Sequence, residues 1–428
     1  MISEGRPDEA FVWIWLPGKT APVVAGRLAR DGARLTFNYG RSYLERPDAL
    51  SIYEPELPLR TGAIQPLPGL ALASCLRDAA PDAWGRRVIL NRRFGRRQGP
   101  GDTTDLDDLS WFLESGSDRM GALDFQRASD IYVPRGDGAP RLEELLSVAD
   151  QVEQGVPVSP DLDVALFHGT HLGGARPKAN IEDGNAKLIA KFPLQADVFN
   201  VVKGEFVAMR LAAHAGLNVA PVRLVSAAGK DVLLVERFDR IQAGDGWHRK
   251  PMVSALTLLG LDEMMARYAS YETLAQIICH RFTDPGETLA ELFARLVFNI
   301  LCGNTDDHAR NHAAFWDGKA LSLTPAYDIC PQGRSGGEAG QAMRIKGESN
   351  LSRLALCLEA APQFHLEPAT ALHLIEAQVM AISDHWAAVC EEAALSQVER
   401  AFLWRRQILN PFAFEGAPTS LVRLASGA

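Results

Sequence analysis

The pattern of hydrophobic and polar positions changes along the chain from strand-like to helix-like. In residues 1–75, short runs of β-branched and aromatic residues are separated by Gly, Pro and Asp; the runs lie at 11–15, 22–25 and 34–39. Runs of this kind predict strands. Beyond residue 250 the pattern is mostly typical of helices. The two patterns together predict an α+β protein with a strand-rich beginning and a mostly helical end.

Between these two parts, predicted helices and strands are interrupted by Pro and Gly. The segments predicted to be helical are 81–97, 105–115, 141–154 and 203–215. The segments predicted to be strands are 186–192, 221–226 and 231–236. The proline-containing link at 156–160 is the preferred domain boundary. The predicted parts of the chain are therefore 1–157, 158–248 and 249–428.

One helix is predicted in more detail. Asp284 is the expected N-cap, Pro285 occupies the first helical position, and Glu287 offers the acidic residue of a capping box. Apolar residues then recur at helical spacing, at 289, 292, 293, 296, 297, 300 and 301. Gly303 is expected to end the helix. A polar loop at 304–311 would then be anchored to a buried helix, which suits a chemical site.

Composition and charge narrow the class of protein. The chain of 428 residues is 47% hydrophobic and carries a net charge of −9, which argues against nucleic acid as the main partner. Six arginines at 86–97 are interpreted as a solvated surface. The six scattered cysteines favour reduced thiols. Neither a signal peptide nor a membrane-spanning run is recognised, so a cytoplasmic location without membrane contact is expected.

The loop at 304–311 offers groups for phosphoryl transfer. Asp306 and, five residues later, Asn311 are followed by Asp328 at the end of a predicted short strand at 323–328. This order is that of protein kinases, where one Asp is the base and the Asn and the second Asp hold Mg²⁺. Asp306 is therefore the candidate base, and Asn311 and Asp328 are the candidate metal ligands.

A glycine-rich loop at 169–178 is the candidate phosphate-binding element. Gly173 and Gly174 permit close approach of backbone N–H groups to phosphates. Further predicted nucleotide-binding residues in and beyond this loop are Ala175, Arg176, Lys178, Lys191, Glu205, Glu236 and Phe238. Lys191 also counts among the catalytic candidates, with Glu205 as its predicted partner. Lys187 competes for the same role, and a solvated helix residue is the alternative for Glu205.

The strand end at 236–240 is the candidate hinge. In a two-lobed kinase the backbone at this point reads the edge of the adenine, so Glu236 and Phe238 are assigned to nucleotide binding.

Two histidines beside the loop aspartates allow an alternative function. His308 and His312 lie four residues apart beside two aspartates, so a zinc-dependent hydrolase is one alternative. Such a pair needs a helix, whereas a loop is predicted here. The favoured role for His308 is to brace the catalytic loop through hydrogen bonds. A further alternative is a weak or inactive kinase-fold binding protein.

The motifs resemble the HipA family of bacterial serine/threonine kinases. The similar segments are 114–123, 173–178, 190–193, 235–239, 305–311 and 323–328. The resemblance implies a two-lobed protein-kinase-like fold in which 158–248 is the nucleotide-binding part and 249–428 holds the catalytic loop. It also implies ATP and Mg²⁺ as cofactors.

Several biological properties are implied by the same resemblance. Family members are growth-arresting toxins that phosphorylate protein serines, in characterised cases on aminoacyl-tRNA synthetases. They pair with a helix-turn-helix antitoxin, and operator DNA is contacted through it.

The glycine loop departs from the family pattern at its regulatory position. Many members phosphorylate a serine of this loop and thereby inactivate themselves. Here His171 stands at that position, and a histidine has no hydroxyl group. We therefore expect no phosphate in the loop, or phosphate on Thr170 alone.

Overall fold

The structure is a computed structural model, and it describes residues 6–94, 106–136, 138, 140–159, 162–170, 174–334 and 336–426. The chain forms two compact units. Unit 1 comprises residues 1–195, 225–253 and 316–319; unit 2 comprises residues 196–224, 254–315 and 320–428. Each unit is therefore built from several stretches of the sequence.

Unit 1 begins with an antiparallel four-stranded sheet. Its strands are β1 (Glu9–Ile14), β2 (Val23–Asp31), β3 (Arg34–Tyr39) and β4 (Leu123–Gln126), in the order β3-β2-β1-β4. Alternating side chains of β1, such as Val12 and Ile14, are fully buried. The register of β1 and β2 shifts between Val12 and Trp13. The predicted strand-rich beginning is confirmed.

Short helices precede and follow β4 along the chain. They are α1 (Arg41–Leu44), α2 (Ser74–Arg77), α3 (Ala83–Phe94), α4 (Asp108–Glu114), α5 (Leu142–Gln154) and α6 (Asp163–His168). The Asp107 side chain caps α4 by accepting from the Ser110 N–H. Gly155 ends α5 in the left-handed conformation, with φ 69°. These caps explain why polar residues and glycine mark the helix ends.

A second four-stranded sheet follows the helices. Its strands are β5 (Lys178–Asp183), β6 (Ala186–Lys191), β7 (Val222–Ala227) and β8 (Lys230–Glu236), in the order β5-β6-β8-β7. The next strands are β9 (Arg240–Ala243), β10 (Gly246–Arg249) and β11 (Met252–Ser254). Strands β9 and β10 form a two-stranded hairpin. Apolar residues of β5, β6, β8 and α5 share one core, which holds this sheet in place.

Unit 2 is mostly helical. Its helices are α7 (Val201–His214), α8 (Ala255–Leu258), α9 (Tyr271–Arg281), α10 (Pro285–Cys302), α11 (Leu354–Ala360), α12 (Pro368–Glu392), α13 (Gln397–Leu403) and α14 (Thr419–Ser426). Two short strands, β12 (Ala313–Trp316) and β13 (Leu321–Leu323), interrupt them. Helix α10 packs against α9, α11 and α12. The predicted helical C-terminal part and the α+β class are thus confirmed.

Helix α10 carries the polar loop at 304–311 as the sequence predicts. The predicted apolar positions, including Leu292 and Leu296, are completely buried. Gly303 ends the helix with φ 76°, and a Cβ there would lie 2.7 Å from the carbonyl oxygen of Gln407. Both the left-handed backbone and the close approach therefore require glycine at this position. The loop at 304–311 leaves a rigid, buried support.

Several local predictions were wrong in detail. The Asp284 side chain makes no capping hydrogen bond, so the predicted capping box is not formed. The predicted strand at 323–328 is not formed, because β13 ends at Leu323; Ala326 makes an isolated bridge with Val219, and Asp328 lies beyond it. Helix α3 begins at Ala83 rather than at residue 81 and is described as far as Phe94; positions 95–97 of the predicted helix lie outside the described residues.

The arginines of α3 are more engaged than a solvated surface would be. Arg86 lies over the Trp111 ring, Arg87 over Trp84 and Arg92 over Phe167. Arg92 also forms an ion pair with Glu114 at 2.7 Å. The interpretation as a solvated basic face is therefore wrong for Arg92, whose side chain is 11% exposed, whereas Arg87 is exposed as expected.

The six cysteines are free thiols, and five of them are buried. No helix in the described ranges has the length and the apolar character that crossing a membrane requires.

Candidate active site

The catalytic loop of unit 2 is held by its own backbone. The N–H groups of His308 and Asn311 donate to the carbonyl oxygens of Asp306 and His308, at 2.9 and 2.8 Å. The Asn311 side chain donates from Nδ2 to the Asp306 carbonyl oxygen at 3.1 Å. Residues Ala309–Asn311 form one short 3-10 turn. The candidate base and the candidate metal ligand therefore share one local hydrogen-bond network.

Asp306 has the electrostatic surroundings of a proton acceptor. Burial raises the pKa of its carboxyl group, and the negative charges of Asp328 and Asp307 raise it further, against the opposing effect of His308. A raised pKa means that the carboxylate binds a proton more strongly than a solvated aspartate does. Asp306 and Asp328 are thus close enough to influence each other.

Asp328 is positioned by an unusual backbone conformation. Its φ is 60°, in the left-handed region that residues other than glycine seldom adopt. Ala326, two residues before it, pairs with the chain at Asn218 and Ala220 through bonds of 2.7 and 2.9 Å. The Tyr327 hydroxyl donates to the Arg310 carbonyl oxygen at 2.7 Å, which ties this segment to the catalytic loop. Strained backbone held this firmly is typical of functional sites.

A buried group behind the loop was missed by sequence reasoning. Asp307 accepts hydrogen bonds from the Tyr271 hydroxyl and from His312 Nε2, the latter at 2.8 Å. All three side chains are buried. Burial, followed by the charge of Asp307, raises the pKa of Tyr271 well above its usual value. No sequence signal connects Tyr271 to Asp307, which lies 36 residues later in the chain.

This group explains what the two histidines do. His312 belongs to a strand boundary after the 3-10 turn, so His308 and His312 do not form a helical pair. The His308 Nδ1 atom is buried and has no hydrogen-bond partner among the residues described. The imidazole of His312, rather than that of His308, supports the loop through Asp307. Within the described ranges, no group of three or more His, Cys, Asp or Glu residues is arranged to hold a metal.

The glycine turn of unit 1 brings two lysines together. Gly174 has φ 97°, and a Cβ on it would collide with Lys178 Nζ, so the ammonium group lies directly at the turn. Lys178 is directly opposite Lys191 in the β5–β6 pair. Gly173 and His171 lie outside the described residues.

The turn is fixed by helix α3. The Trp84 backbone N–H donates to the Gly174 carbonyl oxygen at 3.3 Å, and the Trp84 indole donates to the Lys178 carbonyl oxygen at 3.1 Å. The neighbouring Ala175 is exposed and Arg176 is partly buried. The competing Lys187 forms an ion pair with Glu182 at 2.5 Å. The preference for Lys191 over Lys187 as the nucleotide lysine stays a prediction.

Thr170 precedes the turn and is fully buried. Its hydroxyl accepts from the Gly116 N–H at 2.7 Å and donates to the Phe167 carbonyl oxygen at 2.8 Å. In this conformation the hydroxyl serves as a structural link.

The remaining predicted nucleotide residues lie at the end of β8 and on α7. Glu236 is the last residue of β8 and is exposed, whereas Phe238 is partly buried. Glu205 on α7 is 4% exposed. The alternative of a solvated helix residue at Glu205 is therefore wrong.

The strand end at 237–240 is anchored by an arginine–aspartate cluster, which we define as Asp118, Arg119, Asp124, Arg135, Arg237, Asp239 and Arg240. Asp239 accepts from Arg237 and Arg240 at 2.9 and 2.8 Å, and from the Gly121 N–H at 2.7 Å. Arg237 and Arg240 also bind Asp118. Although burial alone raises the pKa of Asp239, these two arginines lower it. The cluster thus fixes the backbone of the candidate hinge.

Comparison with known proteins identifies two family domains along the chain. A profile of the HipA N-terminal domain matches residues 14–126, and one of the HipA-like C-terminal domain matches residues 170–386. The chain belongs to the HipA family. The resemblance found in the motifs is therefore confirmed.

Curated relatives share part of their length with this chain. A putative kinase, Y4mE, of Sinorhizobium fredii is 32% identical over 33% of this chain and 33% of the relative. The serine/threonine-protein kinase toxin HipA of Shewanella oneidensis is 25% identical over 50% of this chain and 54% of the relative. A putative kinase of Haemophilus influenzae is 25% identical over 44% of this chain and 56% of the relative. The aligned parts thus span between a third and just over half of these relatives.

One solved structure matches nearly the whole chain. HipA of Shewanella oneidensis, determined in complex with HipB and operator DNA, covers 97% of this chain with a TM-score of 0.71. The match covers 99% of that chain at 18% identity. The HipA fold of this protein is therefore shown, and the predicted kinase-like fold class is confirmed.

Proposed function

We propose that this HipA family protein is a serine/threonine protein kinase that uses ATP and Mg²⁺. The observation that carries the proposal is the arrangement of Asp306, Asn311 and Asp328. Asn311 is bonded to the backbone of Asp306, and Asp328 is close enough to raise the pKa of Asp306. Membership of the HipA family supports the same activity.

Asp306 is the proposed general base. Its carboxylate would orient the attacking hydroxyl of a protein serine or threonine and accept its proton. The raised pKa makes this carboxylate a better proton acceptor. The backbone bonds of the loop and the Tyr271–Asp307–His312 group hold the base in position, so that little reorganisation is needed during the reaction. The bracing role of His308, predicted among the catalytic residues, stays a prediction.

Asn311 and Asp328 are the proposed metal ligands. The hydrogen bond of Asn311 uses its NH₂ group, so a cation would take the amide oxygen. An amide oxygen and a carboxylate are the hard ligands that suit Mg²⁺. When bound, Mg²⁺ would neutralise charge on the nucleotide phosphates.

Residues of the glycine turn are proposed to hold the nucleotide phosphates. Lys178 and Lys191 lie opposite each other on two adjacent strands, and the glycine-rich segment 173–176 of the sequence would present backbone N–H groups. Glu236 and Phe238 remain the predicted adenine contacts through their backbone. The role predicted for Glu205 also stays a prediction.

The biological role proposed here is that of a growth-arresting toxin in the cytoplasm. We propose a helix-turn-helix antitoxin as partner, with operator DNA bound through it. The solved HipA of Shewanella oneidensis was determined with HipB and operator DNA, which supports this partner. The protein substrate is a cellular protein, and family resemblance makes an aminoacyl-tRNA synthetase the first to examine.

The test is phosphorylation of proteins in a bacterial lysate, read by mass spectrometry, with wild type, Asp306→Ala and Asp384→Ala. Asp384 is exposed on α12 and serves as the matched control. We expect Asp306→Ala to lower the rate of phosphate transfer about 10²- to 10⁴-fold, since it removes a general base, while ATP binding persists. Equal activity of Asp306→Ala and wild type would contradict the proposal. If the wild-type protein does not bind ATP, the binding-protein or hydrolase alternatives are favoured.

A further inference from the structure

Three large apolar side chains are exposed on unit 2 shortly before helix α9. They are Met264, Met265 and Tyr268, whose exposed fractions are 80%, 42% and 41%, and we call them the apolar ridge. Single apolar residues scattered over a surface are ordinary, whereas clusters of them mark interaction sites. The apolar ridge is therefore a candidate surface for binding another molecule.

Contacts to the catalytic loop flank the apolar ridge on both sides along the chain. Before the ridge, Glu263 forms an ion pair with Arg310 of the loop at 2.9 Å. After the ridge, the hydroxyl of Tyr271 donates a hydrogen bond to Asp307 of the loop. Because both ends of this short stretch contact the loop, the apolar ridge lies beside the loop that carries Asp306.

The backbone under the apolar ridge is held by hydrogen bonds. The Met265 N–H donates to the side chain of Asp262 at 2.7 Å, and residues Ala266–Tyr268 form a 3-10 turn. The Arg344 N–H then donates to the Ala269 carbonyl oxygen at 2.9 Å. A surface that is fixed in advance loses less conformational entropy when it binds a partner.

The side chains of the apolar ridge and its surroundings are of the types that protein interfaces favour. The guanidinium carbon of Arg267 lies 4.9 Å from the centre of the Tyr268 ring, and that of Arg344 lies 5.0 Å from it. Methionine, tyrosine and arginine are enriched at the centres of interfaces. A methionine side chain also adapts to apolar partners of different shapes, because it is unbranched and polarisable.

We propose that the apolar ridge docks the segment of the protein substrate next to the acceptor hydroxyl, and that this segment carries a large apolar side chain. The inference rests on the kinase function proposed above. Asp306 is exposed, so an acceptor serine or threonine reaches it from solvent, and the chain on either side crosses the surface around the loop. An extended chain advances about 3.3 Å per residue, so the apolar side chain should lie within roughly four residues of the acceptor.

The test measures two properties of the same set of proteins. Phosphate transfer from Mg-ATP to proteins of a dephosphorylated bacterial lysate is read by quantitative mass spectrometry, and Mg-ATP binding is measured by calorimetry. The variants are Met264→Asp and Met264→Lys, which place opposite charges on the apolar ridge. Met380→Asp is the matched control, because Met380 is a methionine 44% exposed on α12 of the same unit.

We expect both Met264 variants to lower phosphate transfer about 10- to 100-fold, since each loses the burial of one apolar side chain against the substrate. Met264→Leu, which stays apolar, should retain most of the transfer, and Met380→Asp should match wild type. The Tm and the Mg-ATP affinity should be unchanged, because Met264 is exposed in the free protein. If a Met264 variant does not fold, Met265→Lys takes its place.

The sites that wild type phosphorylates provide a second readout. We expect Leu, Ile, Met, Val or Phe within roughly four residues of the phosphorylated serine or threonine, more often than around other serines and threonines of the lysate. Phosphorylated sites without this enrichment would contradict the inference.

Four other outcomes overturn the inference. If both charged variants transfer phosphate as wild type does, the ridge does not dock the substrate, while the kinase proposal stands. If Met264→Asp loses transfer and Met264→Lys does not, charge rather than apolar contact is responsible. A wild-type dimer in light scattering that Met264→Asp dissociates assigns the ridge to a second copy of the chain. Absence of any transfer by wild type contradicts the kinase proposal, and the docking inference fails with it.

Discussion

The arginine–aspartate cluster of unit 1 and the catalytic loop of unit 2 both place charged groups out of water, but they do so differently. In the cluster, Asp239 and Asp124 are completely buried and each is bonded to arginines. In the loop, Asp306 has neighbouring carboxylates that raise its pKa. The comparison separates charges that maintain the fold from charges that are ready to bind or react.

The physical reason is the cost of desolvation. A buried charge that is matched by opposite charge and hydrogen bonds contributes a defined geometry. A buried charge that is not matched retains its capacity to take up a proton or an ion. We therefore expect substitutions in the cluster to act on folding, and substitutions in the loop to act on chemistry.

The largest effect on stability is expected from Asp239→Asn. The substitution leaves Arg237 and Arg240 buried with less negative charge, which should lower the free energy of unfolding by about 3–5 kcal/mol. The control is Glu9→Gln, which removes an exposed ion pair with Arg27 and should cost less than about 1 kcal/mol. Urea unfolding of both variants checks the difference. Equal losses would show that the cluster is not what holds this part of the fold.

The loss of folding stability at acid pH should depend on the same cluster. Arginines hold the pKa of Asp118, Asp124 and Asp239 below the usual value, despite the opposing effect of burial. A lowered pKa in the folded state gives stability that is present above the unfolded pKa of about 3.9 and is lost as pH falls below it. Urea unfolding at roughly pH 5 to roughly pH 2 should show a steep loss of the free energy of unfolding in wild type. Asp239→Asn should lose less of its free energy of unfolding over the same pH range. An identical pH dependence in both proteins would show that Asp239 does not contribute to the loss of stability in acid.

The smallest effect on stability is expected from Tyr271→Phe, which removes a hydrogen bond to Asp307. We expect a loss of about 1–3 kcal/mol, because the buried carboxylate loses a donor. The same change should lower kcat on the order of tenfold, since the loop that carries Asp306 loses support. Tyr43→Phe is the control, because its buried hydroxyl bonds to Leu50 in unit 1. If both variants lose stability and neither loses kcat, the Tyr271–Asp307–His312 group supports the fold alone.

The sequence by itself determined the features that depend on neighbouring residues. The apolar period of α10, its end at Gly303 and the polar loop after it were all predictable, because helix periodicity and left-handed glycines are local properties. The α+β class and the family followed from local motifs in the same way. The spacing of Asp306 and Asn311 also gave their proposed roles, which remain to be tested.

The tertiary structure alone decided which charges are matched. Tyr271 on α9 donates a hydrogen bond to Asp307 in the loop, and Arg237 forms an ion pair with Asp118, which is 119 positions away in sequence. The placement of Lys178 opposite Lys191 depends on strand register. Burial and charge pairing are sums over residues that are distant in sequence, so a local pattern identifies a charged residue but not whether it is matched.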